Sequence, residues 1–130
     1  MSRLETPMTE EYWKQVGGTL IEEFLAVKRT PTNGQRLIDA VIIKNGENRR
    51  VKRGEKISLE GKDIICVQTE ARRLGMYLMG QAIFSPKLLK KFKPKSIKSV
   101  ALVNKNDSVL GPMLEQFPNL EVVVMPTKKR

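Results

Sequence analysis

Five polar side chains stand where this sequence otherwise places apolar ones. Asp39 interrupts Leu37-Ile38-Asp39-Ala40-Val41-Ile42-Ile43. A strand apolar on both sides of an acid is one covered on both faces. An Asp there calls for a metal ion or a basic partner, and Arg36 is the nearest cation in sequence. In Ile64-Ile65-Cys66-Val67-Gln68-Thr69-Glu70, period two puts Gln68 and Glu70 on one face, with Ile64 and Cys66 behind them. Read as a helix with Leu20 as zero, Trp13, Val16, Phe24 and Val27 fall within about 40°, and Glu23 lies about 60° away at the stripe's edge. Alone, Glu23 reads as an acid at the rim, and Glu22 as a solvated one. Gln81 is the polar member of the stripe Leu74, Tyr77, Leu78, Gln81. Carboxylates and amides offer oxygen only, and oxygen suits a hard cation such as Mg²⁺ or Mn²⁺.

Composition removes the competing chemistries. The 130 residues include no histidine and one cysteine, Cys66. A histidine base, a Ser–His or Cys–His pair, a zinc site of ordinary ligands and an intrachain disulfide are all excluded. Cys66 reads as a small core filler.

The elements that must position these residues follow from turn signals and periodicity. Thr9-Glu10-Glu11 opens a helix running to about Val27, and Thr30-Pro31-Thr32-Asn33-Gly34 breaks the chain. Arg36–Lys44 is a strand ending at the Asn45-Gly46 turn, Lys56–Leu59 a short strand, and Asp63–Thr69 a buried central one. A helix is expected over Ala71–Phe84, and a short one, capped by Ser85-Pro86, over Lys87–Phe92. Ser99–Val103 is a strand, Asp107 or Ser108 starts a helix to Phe117, and Leu120–Met125 is the last strand. The result is one mixed α/β domain over residues 1–130, a mixed sheet flanked by helices, with a basic tail at 127–130.

The order αβββαβ, with an acid on the first helix, an acid on a following strand and a Gln-x-Glu on the next, resembles the PD-(D/E)XK nuclease superfamily, the restriction-endonuclease-like fold. The resemblance covers residues 9–103. Gln68-Thr69-Glu70 stands at the family's (D/E)-x-K place, and Mrr-type restriction enzymes carry Gln-x-Lys there. It implies a phosphodiester hydrolase using Mg²⁺ or Mn²⁺, with Glu23, Asp39, Gln68 and Glu70 catalytic and Gln81 supporting. Asp39 would be the principal metal ligand, joined by Gln68 and Glu70, with Glu23 acting through water or on a second ion. The departure is Glu70, where the family usually has Lys: a carboxylate repels the charge that develops on the phosphoryl oxygens. Three readings stay open: a working ligand, an inactivated nuclease, or an altered copy of a Lys-bearing enzyme. Arg72 and Arg73 are close enough in sequence to be displaced cations. The alternative function is a nuclease-fold module that binds nucleic acid or a protein and no longer cuts.

Charge supports a polyanionic partner. There are 24 Lys and Arg against 14 Asp and Glu, and +8 of the net +10 falls in residues 66–130. The cations gather at Arg49, Arg50, Lys52 and Arg53, and at Lys87, Lys90, Lys91 and Lys93, continuing to Lys95 and Lys98. Such residues contact phosphates, DNA ahead of RNA, or form a solvated face; for Lys93-Pro94-Lys95 the two readings stand level. Sparse aromatics argue against a single-strand stacking platform. With no apolar leader and no stretch of ~18 apolar residues, a cytoplasmic protein without a membrane partner is expected. The resemblance implies a homodimer.

Overall fold

A computed structural model describes residues 3–126. The elements are α1 (Glu5–Val16), β1 (Thr19–Val27), β2 (Arg36–Ile43), β3 (Arg49–Arg50), β4 (Asp63–Arg73), α2 (Met76–Leu89), a 3₁₀ turn at Lys90–Phe92, β5 (Ser96–Lys105), α3 (Leu110–Leu114) and β6 (Leu120–Val124). Six strands form one mixed sheet in the order β3-β1-β2-β4-β5-β6. The pairs β1–β2 and β2–β4 are antiparallel, whereas β4–β5 and β5–β6 are parallel. Met8 and Tyr12 of α1 pack with Leu20, Ala40, Ile42, Val67 and Leu102 on one face. Leu78 and Ala82 of α2 and Leu114 of α3 cover Ala101 and Val103 on the other. The mixed sheet flanked by helices is the expected architecture. The basic tail at 127–130 lies outside the described residues.

Three boundaries differ from expectation, each for a local reason. The first helix ends at Val16, and residues 19–27 are a strand. Gly17 and Gly18 have φ of +73° and +92°, and a Cβ on Gly18 would stand 2.3 Å from the Ile43 carbonyl oxygen. Only glycine permits that close approach of strand and turn. Thr9 therefore caps nothing: it lies inside α1, fully buried. The expected strand at Lys56–Leu59 is irregular chain anchored by buried Leu59. Arg49–Arg50 instead adds a two-residue parallel strand to β1.

Ser85-Pro86 does not separate two helices either, because β4 extends to Arg73 and α2 runs unbroken through Pro86. Proline removes the N–H that would serve the carbonyl four residues back, which is that of Ala82. The Ser99 hydroxyl donates to that carbonyl at 2.7 Å. A strand side chain thus replaces the missing helical bond, so the proline signal does not end the helix here.

Candidate functional site

The β2–β4 ladder runs from Ile43–Ile64 to Ala40–Val67 and stops. Beyond it β2 continues paired to β1 as far as Arg36, and β4 continues paired to β5. The sheet therefore forks at Asp39 and Gln68, and backbone groups there need partners other than a ladder. Gln68 Oε1 accepts the Asp39 N–H at 3.3 Å, and Asp39 Oδ2 accepts the Thr69 N–H at 2.8 Å. Gln68 Nε2 donates to the Ser85 hydroxyl of α2 at 2.7 Å. On the α1 side, the hydroxyls of Thr9 and Thr69, both buried, lie 2.9 Å apart. Thr9 also donates to the Glu5 carbonyl at 3.1 Å.

Burial pushes the Asp39 carboxyl above the ordinary range, the Thr69 N–H opposes that, and the charges of Glu5 and Glu23 add to the rise. A carboxylate that is half-buried with acids in its neighbourhood gains from a cation more than one in water does. Asp39 and Gln68 are thus brought together as the sequence reading expected.

The other site residues sit differently. Glu23 is an exposed residue of β1, not of a helix, and its φ of +49° marks a local distortion opposite Asp39. The helix acid in the electrostatic neighbourhood of Asp39 is Glu5, which the sequence reading missed. A helix start placed at Thr9 left Glu5 outside it, although Glu5 precedes Thr9 by one turn. Glu70, its side chain 22% exposed, pairs with Arg72, Nε to Oε2, at 3.0 Å. That pairing pushes the Arg72 guanidinium further up, with a smaller contribution from Glu5. Gln81 is half-buried on α2 and makes no side-chain hydrogen bond among the described residues. Cys66 is buried, and burial pushes its thiol up to about 12, as befits a core filler.

The resemblance implied Asp39 joined by Gln68 and Glu70 as metal ligands, and of these Asp39 alone has no Lys, Arg or other side chain bonded to its own among the described residues. Among the described residues no group of three or more acids is placed to hold a metal. Gln68 is occupied at both ends of its amide, and Glu70 by Arg72. Mg²⁺ keeps several waters and commonly takes one or two carboxylates, so Asp39 with water fits that ion.

The two basic segments divide. Arg49 pairs with Glu47 at 2.9 Å and with Glu55 at 2.6 Å, and this holds the Glu55 carboxyl down at about 2. Arg50 pairs with Glu22 at 2.9 Å and with Glu10, and its guanidinium lies 5.7 Å from the Trp13 ring centre. Arg50 thus fastens β3 to β1 and α1, and Arg49 ties it to its flanking loops. Lys52 and Arg53 are exposed, as are Lys87, Lys90, Lys91 and Lys93 at the end of α2. Lys91 stands over the Phe92 ring at 5.3 Å. Among the described residues no helix is long and apolar enough to cross a membrane.

No family model, curated protein or solved structure matches this chain.

Proposed function

We propose that the chain is a metal-dependent nuclease that hydrolyses phosphodiester bonds in DNA, with Asp39 at the fork of β2 and β4 as its principal metal ligand. The observation that carries this reading is the Asp39 carboxylate. It is half-buried, fixed by the Thr69 N–H, and raised in pKa by burial and by Glu5 and Glu23. Structural acids are usually paired with a base or neutralised by hydrogen bonds; among the described residues no Lys or Arg pairs with Asp39, and Glu5 and Glu23 add charge of the same sign.

In the proposed reaction a Mg²⁺ or Mn²⁺ ion would supply Lewis-acid stabilisation and an activated water. Asp39 would hold it with one carboxylate oxygen while Thr69 fixes the other. Gln68 sets the Asp39 backbone and, tied to Ser85, keeps the fork open. Glu23 and Glu5 add negative potential that favours the cation. Arg72, carried by Glu70, would take the part of the family's lysine and meet the scissile phosphate. The chain reads DNA through exposed lysines, and a homodimer would present two such sites.

A second reading is a nuclease-fold module that binds without cutting. It is favoured by Glu70, whose charge opposes the transition state unless Arg72 offsets it. The deciding experiment is cleavage of end-labelled duplex and single-stranded DNA in Mn²⁺, Mg²⁺ or EDTA. The nuclease reading predicts cutting with metal, none in EDTA and none from Asp39→Ala. Absence of cutting from folded protein on DNA and RNA would leave the binding module.

A further inference from the structure

At the opposite end of the parallel strands from the fork, a groove of about 500 Å³ separates the last turns of α2 from the turn between α3 and β6. Lys87, Lys90 and Lys95 line it, together with Pro86, Phe117 and Asn119, and no acid does. None of the three lysines is ion-paired among the described residues. The acids beside it are engaged: Asp63 accepts from the Ser96 hydroxyl at 2.6 Å, Glu121 holds Lys98 at 2.6 Å, and Glu115 accepts the Val122 N–H at 3.0 Å. Phe117 is 45% exposed, an aromatic ring left at a cationic surface. The groove begins at Ser96, five residues before the Ala101–Gln68 pair at the fork, or about 16 Å by strand rise.

We propose that this groove binds a segment of single-stranded nucleic acid, with phosphates on Lys87, Lys90 and Lys95 and a base against Phe117. The lysines supply the charge complement, and their lack of acidic partners leaves that charge to an external anion. The volume lies within the ~300–1,000 Å³ range of small-ligand sites. It has room for one or two nucleotides. Phe117 is the one aromatic in the lining, so it gives a single stacking contact rather than the platform that sparse aromatics argue against. That contact is tolerant of sequence and gives the single strand its advantage over a duplex, whose bases are already stacked. This deepens the nucleic-acid reading above but does not depend on cleavage.

The test is fluorescence anisotropy of a labelled ten-residue oligothymidylate in EDTA, over a series of salt concentrations. Replacing Lys87, Lys90 and Lys95 together by Gln should flatten the log–log salt slope by about 2, at about 0.7 per phosphate contact on a single strand. A control with the same charge change elsewhere, Lys14, Lys28 and Lys56 to Gln, should leave the slope unchanged. Phe117→Ala should weaken binding on the order of tenfold, while a duplex of equal length binds more weakly and ignores that change. Equal flattening in the control, an unaltered slope in the groove variant, indifference to Phe117→Ala, or equal binding of the duplex would each overturn the proposal. Because metal is absent, a chain that cuts DNA yet fails here loses only the groove. One that binds here yet never cuts loses only the nuclease reading.

Discussion

The Thr69 N–H donates a 2.8 Å hydrogen bond to Asp39 Oδ2, one residue beyond the last ladder pair on β2 and two beyond it on β4. The backbone of one strand thus fixes a carboxylate of the next where both leave their shared ladder. A bond from a neutral donor to a carboxylate favours the charged form, yet burial outweighs it and the Asp39 pKa is raised. The position is held in a state that costs stability, and this is the property the predictions below exploit.

Asp39→Asn removes the charge and keeps an oxygen for the Thr69 N–H. It should raise the melting temperature in EDTA at neutral pH by a few degrees. The pH dependence follows from linkage. A carboxyl whose folded pKa lies above the unfolded value of about 3.8 binds its proton in the folded state where the unfolded chain has lost it. Stability therefore falls as pH rises from that value through the raised one, and Asp39→Asn should flatten that part of the profile. Thermal melts from pH 4 to 8 on both proteins check it.

Gln68→Leu should destabilise the fold by roughly 1–3 kcal/mol, read as a shift in urea midpoint. The apolar side chain fills the space but strips a partner from the buried Ser85 hydroxyl and from the Asp39 N–H.

Ser99→Ala should cost about 1–3 kcal/mol, because the Ala82 carbonyl loses the hydroxyl that stands in for the bond Pro86 removes. In a Pro86→Ala background the helical N–H returns, so the same change should cost less. A double-mutant cycle that is additive within about 0.5 kcal/mol would refute the coupling.

Glu70→Lys puts an ammonium beside the Arg72 guanidinium and dissolves the 3.0 Å ion pair. If the native chain is an inactivated nuclease, cleavage should rise by roughly 10²–10³, the usual contribution of one well-placed electrostatic group. If Arg72, carried by Glu70, is the working cation, activity should fall instead. Cleavage rates of Glu70→Lys and Arg72→Gln measured together separate the two, since only the second case makes both variants slower than the native protein.

How far the sequence revealed the site depends on which interaction each residue uses. Asp39 and Gln68 were visible because apolar neighbours on both sides make a polar residue costly, and that cost is local. Their partners were not, because a fork is set by where two ladders end and neither strand's composition records that. The first helix misled through Leu20, Phe24 and Val27, whose spacing satisfies a helical stripe although residues 19–27 form a strand. The Gly17-Gly18 pair was the contrary signal. Once the helix start was misplaced, Glu5 dropped out of view and Glu23 was assigned to the wrong element. Pro86 misled in the same way, since its rescue by Ser99 comes from a strand thirteen residues on.

The most direct test of the cation site is isothermal titration calorimetry of Mn²⁺ into the native protein and into Asp39→Asn, both folded, without nucleic acid. The native protein should take up Mn²⁺ saturably. At one hundred times the dissociation constant the ion should stabilise the fold by about 2.7 kcal/mol. Asp39→Asn should show neither the heat nor the stabilisation. Equal Mn²⁺ binding by both proteins, or none by the native one up to ten millimolar, would contradict a metal site at Asp39.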